Sequence, residues 1–229
     1  MLAFNEAHRA GASGFETDLR LSKDGEIILS HDDNLSRFGF PEVNIAQLKS
    51  DELYRLEIPS VDGRYRDSLI SLKTLLQAYP QKDYIFDCKV SDRLLFETLK
   101  DLLTDLEFHR RVWFLTWSLE GDAHVRNYFP GFSYFPRFLQ SRIWGWTSIA
   151  RLGNLLEPRN KILALPSFYM NLPVISKRQI KSIKKRKKSF MGYLVNTERE
   201  YRWCKSCGVE VVLTDRPGLI AKLEKVTKG

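Results

Sequence analysis

The sequence predicts an α/β fold, a TIM-type (β/α)8 barrel lacking its first strand in this chain. Short β-branched apolar runs alternate with longer amphipathic stretches at a repeat of roughly 30 residues, the rhythm of parallel strands joined by covering helices. The length, 229 residues, suits one such barrel, which typically needs about 250. The chain also opens in a helical pattern where a barrel strand is due, so about seven strand–helix units are counted and residues 1–229 read as a single domain.

In order, residues 2–10 carry a helical pattern. Residues 14–21 read as a strand, Lys23-Asp24-Gly25 as a turn, and 26–31 as an extra return strand forming a hairpin. The segment 40–79 reads as a loop with one or two helices, including 69–79, and supplies no barrel strand. Strand 84–90 then leads into a helix over 92–109, with Leu94, Leu95, Leu99, Leu102 and Leu103 along one stripe. Strand 112–117 precedes a helix at 119–128, and a weaker strand is placed at 132–138. Further helices are expected at 144–156, 177–188, 197–207 and 219–226, and further strands at 161–165, 190–195 and 209–214. Ser91-Asp92 and Asn196-Thr197 carry N-cap chemistry, and Gly208 is a helix stop.

With 43% apolar and 28% charged residues the chain can bury a core, and it has no apolar run of the 18 or so residues a membrane span requires. Thirty-six basic against 28 acidic side chains give a net charge of +8. That balance favours anionic partners such as phosphates, acidic lipid or nucleic acid without choosing among them. Three cysteines make no disulfide framework, and the first residues lack an apolar leader, so a reducing, cytoplasmic setting is expected. The histidines at 8, 31, 109 and 124 have no zinc-type spacing with cysteine, and Cys204-Lys-Ser-Cys207 falls inside a helical pattern instead of at a helix start.

The chemistry gathers early. Glu16 and Asp18 stand two apart in a strand pattern and so share a face. An exposed strand face is the ordinary reading of such a pair. Two carboxylates held together otherwise favour a divalent cation, or one of them takes up a proton. The return strand ends in His31-Asp32, a group suited to proton transfer beside a carboxylate that can fix its tautomer. Asp87 and Lys89 form a second same-face pair. It reads either as an internal ion pair or as a third metal-binding carboxylate with a phosphate-binding cation.

The stretch from Gly11 to Arg37, with Gly14-Phe-Glu-Thr-Asp-Leu-Arg-Leu-Ser-Lys-Asp-Gly and His31-Asp32, resembles the glycerophosphodiester phosphodiesterase family. Asp87-Cys-Lys89, Gly192-Tyr-Leu-Val-Asn196 and Gly208-Val-Glu-Val-Val-Leu-Thr-Asp-Arg-Pro217 continue the resemblance in order, with the middle, residues 118–175, weakest. It implies a barrel enzyme that cleaves glycerophosphodiesters, or lysophospholipids, to glycerol 3-phosphate, or a lysophosphatidate, and an alcohol. It further implies a divalent cofactor, calcium or magnesium, held by Glu16, Asp18 and Asp87, with His31 as one of two acid/base histidines and Lys89 on the phosphate. The family's His-Arg-Gly strand and Pro-Glu-Asn-Thr segment are absent from the sequence, Asp87 replaces a Glu, and Tyr193 stands where Trp is common. A segment upstream of Met1 is expected to carry the missing strand. The competing expectation is a catalytically impaired member that binds phosphodiester or anionic lipid headgroups.

Two other features bear on partners. Residues 177–188 are the densest basic run, readable as a solvated outer helix or as a contact for an anionic membrane; no nucleic-acid motif accompanies it. Trp144 and Trp146 read as ordinary packing or as a seat for an acyl chain or membrane interface.

Overall fold

Helix α1 (Leu2–Arg9) opens the computed structural model, which describes every residue except 60–62, 64, 151, 153–155 and 229. Two compact units result, one of residues 1–5 with 13–132, the other of 6–12 with 133–229. They are taken in turn.

In the first unit, β1 (Gly14–Leu21) alternates as its sequence dictates: Phe15, Thr17 and Leu19 are buried, and Glu16 and Asp18 lie on the opposite, half-exposed side. The turn at Gly25, with φ of 82°, returns the chain as β2 (Ile27–Leu29), antiparallel to β1 with Leu19 opposite Leu29. This is the extra hairpin strand expected at 26–31, cut shorter. β3 (Asp83–Cys88) lies parallel to β1 and β4 (Val112–Thr116) parallel to β3, giving the strand order β2-β1-β3-β4. Gly14 sits at the tight end of the β1–β3 pair, where a Cβ would meet the Asp83 carbonyl oxygen at 2.6 Å. Edge-to-face rings from Phe15 to Tyr84 and from Phe86 to Phe114 fill the buried side.

Between β2 and β3 the described residues make no long strand. They form two short hairpins, Asn34–Leu35 with Phe40–Asn44 and Ile58–Pro59 with Arg66–Asp67, then α2 (Ser50–Tyr54) and α3 (Leu72–Ala78). Ile28, Leu35, Val43, Ile45, Leu53 and Ile58 give this excursion its own small core. Helix α4 (Arg93–Asp105) starts where expected, the Asp92 carboxylate accepting from the Leu94 amide. Its buried residues are Leu95, Phe96, Leu99 and Leu103, whereas Leu94 is exposed. α5 (Leu119–Tyr128) follows β4 with Ser118 as N-cap.

The second unit is built on β6 (Ile162–Pro166), β7 (Ser189–Tyr193) and β8 (Val211–Val212), three parallel strands in that order, preceded in the chain by β5 (Ser133–Tyr134). Helices α6 (Phe138–Ile149), α7 (Lys177–Lys185), α8 (Glu198–Cys207) and α9 (Pro217–Lys228) accompany them. Thr197 and Glu200 form a capping box on α8, and Gly208 ends it in the left-handed conformation. Helix α6 begins six residues before the expected start, and residues 151 and 153–155 of the expected helix lie outside the described residues. Its Trp144 is fully buried with Leu163, Leu165 and Phe190, so ordinary packing holds there, whereas Trp146 is exposed. Ile180 and Ile183 bury one side of α7 and leave its lysines in solvent. Cys204 and Cys207 are free and buried; burial pushes the Cys204 thiol up to about 12, so the pair is unsuited to thiol exchange.

Candidate active site

Every sequence-derived site residue lies in the first unit: Glu16 and Asp18 within β1, Asp87 and Lys89 at the C-terminal end of β3, and His31 just beyond β2. Parallel pairing sets Asp18 of β1 opposite Asp87 of β3, so the two carboxylates project from neighbouring strands on one side. One oxygen each from Glu16, Asp18 and Asp87 lies within 4.8 Å of the others. The Lys89 ammonium, one residue past the end of β3, bridges two of them, 3.0 Å from Asp18 Oδ1 and 2.7 Å from Asp87 Oδ2. The Trp117 indole, just after β4, donates its Nε1–H to Asp87 Oδ1 at 2.6 Å, and its ring lies 5.0 Å from Lys89 Nζ.

Asp87 is 4% exposed. Burial pushes its carboxyl above the ordinary carboxylate range, against the pull of the hydrogen bonds from Lys89 and Trp117. Burial works to lower Lys89, but its bonds to Asp87 and Asp18 outweigh this and hold the ammonium firmly protonated. Three carboxylates gathered beside this one ammonium are a donor set suited to a divalent cation.

The donor set fits a hard ion. Calcium takes carboxylate oxygens at about 2.3–2.6 Å, so oxygens on opposite sides of it stand about 4.6–5.2 Å apart, and the observed cluster falls within that span. No thiol or imidazole belongs to this cluster, so softer metals are not favoured.

The hairpin continues past β2 to His31. The Ser30 amide donates to the Asp18 carbonyl at 3.1 Å, extending the β1–β2 pairing up to His31. The His31 carbonyl accepts from the Arg20 guanidinium at 2.8 Å. Its Nδ1 lies 2.7 Å from Asp32 Oδ1, and the other oxygen of Asp32 pairs with Arg37 at 2.9 Å. The hydrogen bond from His31 holds the Asp32 carboxyl below its ordinary range, so it is an acceptor and Nδ1 carries the proton. That fixes the tautomer and turns proton exchange over to Nε2 of a ring that is 60% exposed.

The glycerophosphoryl diester phosphodiesterase family model matches residues 1–219. The chain belongs to this family. A relative from Mus musculus, lysophospholipase D GDPD1, is 30% identical over 122 residues, 49% of this chain and 39% of that protein. The matched stretch therefore spans about two-fifths of this relative's length. Among solved structures, the phosphodiesterase domain of an uncharacterized Mycobacterium tuberculosis protein is similar at a TM-score of 0.80 and 17% identity, covering 97% of this chain and 92% of that one. An Oleispira antarctica phosphodiesterase, solved with the product sn-glycerol-3-phosphate, is similar at a TM-score of 0.69 and 18% identity, covering 95% and 87%. The fold class is accordingly the family's TIM-barrel-like α/β fold.

Within this family member, sequence reasoning missed Trp117, Arg20 and Arg37. Trp117 was legible only as the end of a strand pattern, because its partner Asp87 lies 30 positions away. Its place after the C-terminal end of β4, level with Asp87 and Lys89, is the signal that strand-end arguments supply. The Asn196–Pro217 motifs make a network of their own in the second unit: the Asn196 amide donates to Asp215 at 2.8 Å, and its oxygen accepts from the Thr214 hydroxyl and the Asp215 amide.

Proposed function

We propose that the chain, acting as one domain over residues 1–229, is a divalent-metal-dependent phosphodiester hydrolase. It adds water to the phosphorus of a glycerophosphodiester or lysophospholipid, breaks the bond to the alcohol, and releases glycerol 3-phosphate or a lysophosphatidate. The observation that carries this reading is the gathering of Glu16, Asp18 and Asp87 within 4.8 Å beside Lys89.

Glu16, Asp18 and Asp87 would hold calcium or magnesium, which when bound supplies positive charge beside the phosphoryl oxygens where negative charge builds. Lys89 contributes a second cation for the same oxygens and is kept protonated by its two aspartates. Trp117 fixes the Asp87 carboxylate by its indole hydrogen bond. His31, its Nδ1 engaged by Asp32, moves a proton at Nε2 to or from the attacking or departing oxygen. Exposed Trp117 and Leu119 give the rim an apolar face that suits a substrate bearing an acyl chain. Such a substrate is presented by a lipid surface, so peripheral contact with an anionic membrane in a cytoplasmic setting belongs to this reading; nucleic acid does not.

One observation favours a second reading, headgroup binding without turnover. The His-Arg-Gly segment carrying the other acid/base imidazole of the family pattern is not among these 229 residues.

The test is release of glycerol 3-phosphate from glycerophosphocholine, and of choline from lysophosphatidylcholine, with calcium, with magnesium and with chelator. Metal-dependent release that Glu16→Gln abolishes is expected. Saturable binding of either substrate with no release in any metal would replace the enzyme by the second reading.

A further inference from the structure

Helix α6 buries Trp144 and presents Leu139, Ile143 and Trp146 outward, spaced four and three residues apart and so on one stripe. Leu139 is 67% exposed and Trp146 52%. Beside this stripe stands a hairpin, Phe168–Tyr169 with Leu172–Pro173, whose Tyr169 ring lies 5.1 Å from that of Trp146. Its two turn residues, Met170 and Asn171, both have positive φ, 46° and 65°. Two-residue hairpin turns of this hand ordinarily use Asn and Gly. Here a methionine takes the strained position and is 80% exposed at the apex, flanked by exposed Tyr169 and Leu172. A fold that keeps an apolar side chain in an unfavourable backbone conformation, pointed at solvent, is spending stability on what that side chain touches.

The charge around this patch is one-sided. From residue 133 to 197 the sequence holds thirteen Lys and Arg and a single acidic residue, Glu157, although the chain as a whole has 28 acids. Glu157 is itself buried and paired with Arg186 and Lys188. Arg142 lies exposed within α6, and Arg199 grips the hairpin, 4.3 Å from the Phe168 ring and hydrogen-bonded to Asn171 Oδ1 at 3.2 Å. Helix α7, with exposed Lys177 and Arg178 in its first turn, starts four residues after Pro173.

We infer that the outward stripe of α6 and the 168–173 hairpin form a docking surface for an anionic lipid bilayer, with Trp146, Tyr169 and Met170 entering the headgroup layer and the predominantly basic side chains around them, Arg142, Lys177 and Arg178, holding the lipid phosphates. Aromatic and aliphatic anchors set among cations are what an interfacial membrane contact requires. The inference gives the membrane contact of the preceding reading its location. It does not depend on the chemistry, because binding is measured without turnover.

The experiment is cosedimentation of the full chain with phosphatidylcholine vesicles, with and without about one-third phosphatidylserine, at low and high salt. Binding to the anionic vesicles that weakens with salt is expected. The pair Trp146→Ser and Met170→Asp should lower the partition coefficient at least about tenfold, in line with the loss of two apolar anchors. Leu139→Gln with Ile143→Gln should do the same from a different element, and both pairs should keep the wild-type unfolding midpoint. Absence of vesicle binding by the wild type, or binding by both variant pairs as strong as that of the wild type, would overturn the assignment. So would a dimer that dissolves on Met170→Asp in a chain that ignores vesicles, since the patch would then be an interface between copies. Catalysis on water-soluble glycerophosphocholine, assayed separately without vesicles, tells failure of this surface from failure of the enzymatic reading.

Discussion

At the scale of single residues, His31 depends on what holds it. Asp32 accepts the hydrogen bond of its Nδ1–H and is in turn held by Arg37, so the ring presents Nε2 in a defined tautomer. Replacing His31 by Ala should lower kcat by about 10²- to 10⁴-fold with little change in metal affinity, the range for loss of a single acid/base group. Asp32→Asn should give a smaller loss, because the imidazole remains but its tautomer is no longer fixed. Steady-state kinetics beside calorimetric metal titration separates the two effects; an unchanged kcat in His31→Ala would remove the residue from the chemistry. Glu16 and Asp18 were legible in the sequence because strand alternation alone sets them on one side. Asp87 as their third carboxylate was legible only as one of two alternatives and through the family resemblance, and the indole of Trp117 on Asp87 was not legible at all, because both contacts depend on lateral pairing between strands distant in sequence.

Elements are held by a few local devices. Asp24 ties the hairpin turn to α2: it accepts from the Ser22 hydroxyl at 2.6 Å and from the Ser50 amide and hydroxyl at 2.9 and 2.8 Å. These bonds, Ser22 foremost, hold its carboxyl down to about 2 from 3.8. A depressed carboxyl stabilises the folded chain above its unfolded value, and that contribution disappears as pH falls through its folded one. Urea midpoints of the wild type and Asp24→Asn should therefore differ at neutral pH and converge between about pH 4 and 2. A gap that stays constant across that range would show that the carboxylate is not what matters. Gly14 is the second device. A methyl group there drives into the Asp83 backbone, so Gly14→Ala should destabilise the β1–β3 pair by about 1–3 kcal/mol, read from the unfolding midpoint. Caps and turns of this kind were legible: Asp92, Thr197 and Gly208 all do what their residue types require. The span of α6 was not. Its large apolar side chains fall both on the buried side, at Trp144, and on the outward stripe of Leu139, Ile143 and Trp146, so a periodicity argument has no single apolar face by which to set its start.

On the scale of the whole molecule, the acidic cluster is a liability until it is neutralised. Three carboxylates face one ammonium, and burial already disfavours the ionised form of Asp87. A ligand that binds only the folded chain raises its stability by RT ln(1 + [L]/Kd), about 2.7 kcal/mol at a hundredfold excess over Kd. For a chain of this length 1 kcal/mol moves the midpoint by about 2–4 °C, so saturating calcium or magnesium should raise Tm by about 5–10 °C, and chelator should reverse it. Glu16→Gln should behave oppositely in the two conditions. It relieves like-charge repulsion in the metal-free chain, so Tm in chelator should hold or rise slightly, while the increment on adding metal should largely vanish. Lys89→Met should lower Tm in chelator, because it removes the ammonium that bridges Asp18 and Asp87, and should enlarge the increment on adding metal. Differential scanning calorimetry of the wild type and the two variants, each with metal and with chelator, decides the matter. An equal metal increment in all three would mean that the ion binds elsewhere, and the acidic cluster would then be an internal ion pair and nothing more.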